Sequence, residues 1–308
     1  MSSIKTALRL LKTPRKMIAP LAQKGFFDWM SDEAYLKIRF RCEMGYKLDL
    51  KHPRTYNEKL QWLKIYDKNP LYPTIVDKYR AKEYVASLIG EQYIIPTLGI
   101  YDRYEDIDFE KLPSQFVLKC THDSGSIYIC RDKKHLDKER AEYILKRGLK
   151  RDPVRYAREW PYSQVPRRII AEQYLEEEDN QGLKDYKIFT FSGKAALVQV
   201  DYGRFTHHKR NLYSLDWEYI PASFTYPTDP QHVIARPENL ELMIELAETL
   251  AQKLPHVRVD FYSIGSQIYF GEMTLYHGAG FEIFEPEEWQ YKLGDLLVLP
   301  SPENEVRR

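Results

Sequence analysis

Val257-Arg258-Val259-Asp260-Phe261-Tyr262, a turn at Gly265, and Gln267-Ile268-Tyr269-Phe270-Gly271-Glu272-Met273 read as the two strands of a β-hairpin. Side chains alternate across a strand, so Arg258 and Asp260 share one face while Val259 and Phe261 take the other. Glu272 lies on the returning strand and is expected to face Asp260 across the pair. Two opposed carboxylates repel unless a cation lies between them. Oxygen donors at that spacing suit Mg²⁺, which leans on one or two carboxylates plus substrate phosphates. The competing reading is a pair of solvent-facing acids balanced by Arg258.

Two more hairpins lie upstream. Asp185-Tyr186-Lys187-Ile188-Phe189-Thr190-Phe191, a turn at Ser192-Gly193-Lys194 and Ala195 to Val200 form one, with Asp185 and Lys187 on a single face. Phe116-Val117-Leu118-Lys119-Cys120, the polar turn Thr121 to Ser126 and Ile127-Tyr128-Ile129-Cys130 form the other. Ile169 to Leu175 reads as a further strand, broken by the acidic run Glu176 to Asp179. Helices are expected at Leu136 to Leu149 and Leu240 to Leu254, and Arg151 to Pro166, with three prolines, reads as a loop. Residues up to about Ile95 read mostly helical, with Leu60, Leu63 and Lys64 around one face and a helix from Ile75 to Val85 that Asp77 would N-cap. Hairpins separated by helices predict an α+β layering of mostly antiparallel sheets.

The chain has 308 residues, so it can hold more than one packed unit, and its net charge of +1 argues against a dedicated nucleic-acid binder. Cys42, Cys120 and Cys130 are too few and too odd in number for a disulfide framework, which favours a reducing, cytoplasmic setting. Cys120 follows Lys119 by one residue and is expected to point into the core. No apolar run approaches the roughly 20 residues that span a bilayer. Lys5, Arg9, Lys12, Arg15, Lys16 and Lys24 precede the first acid, Asp28, and Ile4, Leu8 and Leu11 would align on a short helix ended by Pro14. Peripheral contact with an anionic membrane surface, at the inner face of the cell membrane, stands there beside an ordinary solvated helix.

Lys119 ends an apolar strand directly before a small-residue turn. Such a turn leaves backbone N–H groups free to approach an anion, and the ammonium adds point charge. With two basic strands and a hairpin bearing two carboxylates, this is an inventory suited to a nucleoside triphosphate with magnesium. Neither a Walker A sequence nor the kinase His-Arg-Asp and Asp-Phe-Gly set is present. His207-His208 reads as a solvated or phosphate-facing loop, and His277, beside Gly278-Ala279-Gly280, leaves acceptor contact and turn packing open.

Val76-Asp77-Lys78-Tyr79-Arg80-Ala81-Lys82, Val117-Leu118-Lys119 with Ser124-Gly125-Ser126, Glu172-Gln173-Tyr174-Leu175, and Arg258-Val259-Asp260-Phe261 with Gly271-Glu272-Met273-Thr274 occur in an order that resembles ATP-grasp enzymes such as D-alanine–D-alanine ligase. Asn57 to Lys64 and Gly278-Ala279-Gly280-Phe281 look like the teichuronopeptide-biosynthesis (TupA-like) branch, which is associated with bacterial surface polysaccharides. The resemblance runs from about Tyr56 to the C-terminus. It implies an ATP-grasp fold in which two α+β subdomains, 96–172 as lid and 173–308 as catalytic and metal-binding half, grip ATP beside a helical region, 1–95.

The resemblance further implies that Lys78 and Lys119 bind phosphates under the turn through Ser124, Gly125 and Ser126. Glu172, Gln173, Tyr174 and Leu175 would be the hinge whose edge meets adenine, and Asp185 would reach the ribose hydroxyls. Lys187 would reach the γ-phosphate, Arg258 the transferring phosphoryl or acyl-phosphate, and Asp260 and Glu272 the Mg²⁺. Arg204 or Arg210 would add an anion contact. Thr274 stands where the family's third metal ligand is usually asparagine, and the turn has one glycine where many relatives have two or more. The activity implied is ATP-dependent joining of an amine to a carboxylate, a sugar acid in this branch, through an acyl-phosphate. Phosphotransfer to a hydroxyl and glycosyl transfer from a nucleotide sugar are the competing activities.

Overall fold

The protein is described here by a computed structural model covering residues 15–175, 183–203 and 208–300. The basic segment through Pro14, the Glu176 to Asp179 run, Arg204 and His207 lie outside the described residues.

The chain begins with α1 (Arg15–Gln23) and α2 (Asp32–Met44); the Ala34 N–H donates to the Ser31 hydroxyl at the start of α2, and Gly45 ends it at a φ of 83°. In α3 (Tyr56–Tyr66), Thr55 and Glu58 close a reciprocal capping box. The helix expected over 75–85 is two. α4 (Tyr72–Val76) stops at Asp77, and α5 (Arg80–Ile89) begins after Tyr79. Asp77 therefore caps the break. Its buried carboxylate accepts from the Tyr79 N–H at 3.0 Å and pairs with Arg168 at 3.3 Å. That break turns Lys78 toward the rest of the molecule.

Four strands build the first antiparallel sheet: β1 (Thr97–Tyr101), β2 (Phe116–Cys120), β3 (Ile127–Cys130) and β4 (Ile169–Gln173), in the order β1-β4-β2-β3. α6 (Lys138–Leu149) covers it through Ala141 and Leu145, and its core holds Phe116, Leu118, Ile169 and Ala171. Cys120 is buried there, and burial pushes its thiol up to about 12, so it is an inert core residue. The stretch read as a loop before β4 contains α7 (Pro153–Ala157), started by the Asp152 cap, and a 3₁₀ turn at Trp160–Gln164.

The second sheet runs β11-β10-β5-β6-β7-β8, with β5 (Asp185–Phe191), β6 (Lys194–Tyr202), β7 (Lys209–Tyr213), β8 (Tyr219–Ile220), β10 (His256–Ile264) and β11 (Gln267–Thr274). β9 (Ser223–Phe224) and β12 (Phe284–Glu285) form a small separate pair. α8 (Leu240–Ala251) packs Leu240, Met243 and Ala247 against the second sheet, while α9 (Glu288–Leu296) docks on α3 through Gly294 and Lys59. Tyr56, Leu60, Ile75 and Val85 from α3 to α5 share one core with Ile188, Phe189, Val259 and Phe261. Each such fully buried side chain contributes about 1.5–3 kcal/mol. The N-terminal helices are thus divided: α3 to α5 belong to the larger core, whereas Ile18, Tyr35, Leu36 and Phe40 form a cluster of their own with Phe281. No helix among the described residues is long and apolar enough to cross a membrane.

Candidate active site

The hairpin β10–β11 pairs Asp260 directly with Glu272 and Arg258 with Thr274. The register shifts by one residue beyond Asp260, leaving Gly271 unpaired as a bulge. A Cβ on Gly271 would lie 3.1 Å from the Asp260 carbonyl oxygen, so glycine allows this close approach.

The cation between the two acids is Arg258. Its Nε and Nη2 each donate to Asp260 at 2.7 Å, and Nη2 also reaches Glu272 at 3.3 Å and the Thr274 hydroxyl at 3.0 Å. Asp260 pairs in addition with Lys187, which donates to Asp185 at 2.6 Å. Asp185 and Lys187 lie beside the hairpin on the adjoining strand β5, holding each other and Asp260. Against the opposing effect of burial, Lys78, Lys187 and Arg258 hold the Glu272 carboxyl well below the usual carboxylate range.

His277 packs on Phe189 and Phe224 at the start of the Gly278-Ala279-Gly280 turn and also holds Arg258. It is buried, with Nδ1 2.5 Å from Arg258 Nη1 and Nε2 2.5 Å from the Glu282 carboxylate. Burial lowers its pKa to about 4, which makes it neutral at pH 7; Arg258 donates to Nδ1, so the ring proton belongs on Nε2. His277 thereby fixes the direction of Arg258. Arg210 joins the same chain of charges from the far side, donating to Asp201 at 2.7 Å and lying 3.7 Å from Glu282.

From the first sheet comes the turn after β2. The Lys78 N–H donates to the Thr121 carbonyl, and Lys78 Nζ donates to the Asp123 carbonyl at 2.7 Å while standing 3.6 Å from Glu272. Lys78 thus spans both sheets. Ser126 is buried and donates to Asp123, Gly125 turns at a φ of 90°, and Arg151 donates to the Ser124 carbonyl at 2.7 Å. Lys119 does not join this group. It pairs with Glu172, whose other oxygen holds Lys82 at 2.6 Å. These two lysines, opposing burial, keep the Glu172 carboxyl below its ordinary value. The Glu172 side chain is 3% exposed and committed to two ammoniums, so the strand read as the hinge carries it inward. Gln173 is exposed at the strand end, the Tyr174 hydroxyl accepts from Arg131 at 3.2 Å, and Leu175 is buried.

Between the sheets opens a cleft of about 230 Å³. Lys78, Ser124, Glu159, Arg258, Glu272 and Thr274 line it. Glu272 and Thr274 offer hard oxygen to a cation there, with Asp260 directly behind; such a set fits Mg²⁺ that shares its shell with phosphate oxygens. Among the described residues no cluster of three or more His, Cys, Asp or Glu side chains is placed to hold a metal by itself. The chain's one Asp-x-Asp, Asp106-Ile107-Asp108, is spent on Arg103 and Lys111. Glu159 and Lys82 escaped sequence reasoning. Glu159 sits in the proline-rich stretch that showed no periodicity, and Lys82 reads as an ordinary helix lysine.

Two sheets facing a cleft, a lysine bridging them and an opposed acid pair define an α+β nucleotide-grasping architecture. The chain belongs to the TupA-like ATPgrasp family, whose model matches residues 58–298. No curated protein matches it. Among solved structures it is similar to a D-alanine–D-alanine ligase from Bacillus anthracis complexed with ATP, at 15% identity over 66% of this chain and 54% of that one, with a TM-score of 0.38. It is similar to the Helicobacter pylori D-alanine–D-alanine ligase at 12% identity over 81% and 68%, with a TM-score of 0.44. An ATP-grasp ligase, PsnB, complexed with minimal precursor, Mg and ADP shares 10% identity over 83% and 66%, with a TM-score of 0.39. The chain thus spans 54% of the length of the first of these. Membership rests on the family match, since likenesses at these scores carry no argument.

Proposed function

We propose that this protein is an ATP- and Mg²⁺-dependent carboxylate–amine ligase that works through an acyl-phosphate in bacterial surface polysaccharide biosynthesis, joining an amino acid or amine to a uronic acid. The observation that carries the reading is Lys78, which touches the Asp123 turn of one sheet and Glu272 of the other within a cleft shared with Arg258. A polyphosphate placed there meets cationic groups from both halves.

In this reading the substrate carboxylate attacks the γ-phosphorus and ADP leaves. Arg258 and Lys78 neutralise charge on the phosphoryl oxygens. Glu272 and Thr274, with Asp260 behind them, would hold Mg²⁺, which would neutralise further charge on those oxygens. The amine then displaces phosphate from the acyl carbon. Positioning and electrostatics suffice, and no protein nucleophile is required. Basic residues before Asp28, with exposed Phe26 and Trp29 after α1, support peripheral contact with the inner face of the membrane.

The test is one incubation with ATP, Mg²⁺, a panel of uronic acids and mixed amino acids. ADP and phosphate released only when both acceptors are present is the expected result. ADP with a stable phosphorylated sugar would move the reading to a kinase, and UDP release from a nucleotide sugar without ATP would move it to a glycosyltransferase.

A further inference from the structure

Besides Lys78, Arg258, Glu272 and Thr274, the cleft lining holds a further acid, Glu159, together with the rings of Tyr156, Tyr162 and Tyr276. Glu159 comes from the connection between α7 and the 3₁₀ turn, and its backbone carbonyl accepts from the Tyr162 N–H at 3.2 Å. Its carboxylate makes no hydrogen bond or ion pair to any described residue.

The bland account makes Glu159 the counter-ion of Lys64, a lysine buried on α3. The geometry argues otherwise. An ammonium has three donors, and Lys64 directs its own to the Gln61 side-chain oxygen at 3.1 Å, the Ala157 carbonyl at 2.9 Å and the Ala279 carbonyl at 2.7 Å. Lys64 is complete without Glu159, and the Glu159 oxygens remain unused on the cleft wall. Glu159 is half-buried, and its oxygens open to the cleft, where a cationic ligand can meet them without displacing a protein donor.

We infer that Glu159 receives the ammonium group of the amine substrate, between the rings of Tyr156, Tyr162 and Tyr276. The assignment rests on the ligase reading and adds to it the site and the charge class of the second substrate: a primary amine that enters as a cation. Aromatic faces attract such a cation and hold its carbon skeleton. Burial raises the Glu159 carboxyl, against the lowering fields of Lys64 on α3 and Arg39 on α2, so the group is also a competent proton acceptor near neutral pH. The step balances. One ammonium proton passes to a Glu159 oxygen, and the freed nitrogen pair forms the C–N bond. The acyl C–O bond breaks with its electrons leaving on phosphate, which carries off the second proton from nitrogen.

The test is a thermal-shift titration of the full chain in saturating ATP and Mg²⁺. The probes are the common L-amino acids and glucosamine, each beside its N-acetylated form. At least one free amine is expected to raise the melting temperature above the ATP–Mg²⁺ value, and its acetylated form is not. Glu159→Gln is expected to keep the ATP–Mg²⁺ shift and to weaken the apparent amine affinity at least 30-fold. An amine response unchanged in Glu159→Gln, or a wild type responsive to ATP–Mg²⁺ and to no amine, overturns the assignment alone. A wild type unresponsive to ATP–Mg²⁺ overturns the ligase reading beneath it. If Glu159→Gln melts below the assay range, Glu159→Asp, which keeps the charge beside Lys64, decides: about tenfold weaker amine binding supports the assignment and unchanged binding overturns it.

Discussion

Asp260 and Glu272 stand directly opposite each other on β10 and β11, yet differ in how far each is closed off: Asp260 is 2% exposed behind Arg258 and Lys187, while the Glu272 side chain is 35% exposed on the cleft. Removing one charge from each should therefore have different consequences. Asp260→Asn leaves Arg258 and Lys187 short of a buried partner, and breaking such a pair costs about 3–5 kcal/mol. Glu272→Gln sits at a solvent-screened position and should cost under about 1 kcal/mol, while removing the magnesium dependence of ATP binding. Urea unfolding of both variants, and ATP titration with and without Mg²⁺, check the contrast. Equal stability losses would contradict it.

Glu172 between Lys82 and Lys119 changes what a Lys119 substitution should do. A surface phosphate-binding lysine would be removable at no cost to the unliganded fold. Here Lys119→Ala strips Glu172 of one of two partners and should destabilise by about 1–2 kcal/mol, whereas Glu172→Gln leaves two buried ammoniums without their acid and should cost about 3–5 kcal/mol. Chemical denaturation in the absence of nucleotide gives the order directly. A Lys119→Ala melting point equal to wild type would restore the exposed-lysine picture.

The legibility of the sequence follows burial pattern. The hairpins β2–β3, β5–β6 and β10–β11 alternate apolar and polar residues or run apolar throughout, and each was readable, as was the facing of Asp260 and Glu272. β1 was not, because Leu98 and its neighbours are only partly covered and Gly99 interrupts them. β7 begins Lys209-Arg210-Asn211, a string that looks like a loop until Asp229 and Asp201 are seen to take the two cations. Arg258, Asp260, Glu272 and Thr274 could be grouped because one hairpin carries them. Glu159 and the roles of His277 and Glu172 depend on partners far along the chain, which periodicity does not reveal.

His256 gives a pH dependence that can be signed. It is buried on β10, with Nδ1 2.7 Å from the Thr190 carbonyl and Nε2 2.7 Å from the Tyr56 hydroxyl, and burial lowers its pKa to about 3. In the unfolded chain it titrates near 6.5, so between these values the unfolded state binds more protons and stability falls as pH falls. Its contribution is complete above about pH 6.5 and drains toward pH 3. Each unit of separation corresponds to roughly 1.4 kcal/mol, so acidification from pH 7 to 4.5 should remove about 2–3 kcal/mol of this one contribution. His256→Gln lacks the titration. The stability gap between wild type and His256→Gln, measured by urea unfolding, should narrow by that amount over the same range; a constant gap would mean that His256 does not titrate differently on folding.

Gly271 couples the fold to the site through its missing side chain. A Cβ there would press on the Asp260 carbonyl at 3.1 Å and on the Tyr262 ring at 3.3 Å, and a backbone carbonyl in a paired strand yields little. Gly265, in the turn of the same hairpin, has a φ of 55° but nothing near its Cβ position. Both alanine variants should lose stability, Gly265→Ala by about 1 kcal/mol from left-handed backbone strain and Gly271→Ala by about 1–3 kcal/mol from overpacking. Only Gly271→Ala should also move Glu272 relative to Asp260, and so weaken the ATP–Mg²⁺ thermal shift. Melting curves with and without ATP–Mg²⁺ separate the two effects, because a turn defect leaves the ligand increment intact and a displaced carboxylate pair does not. An unchanged increment in Gly271→Ala would show that the bulge serves sheet geometry and has no part in the spacing of the acids.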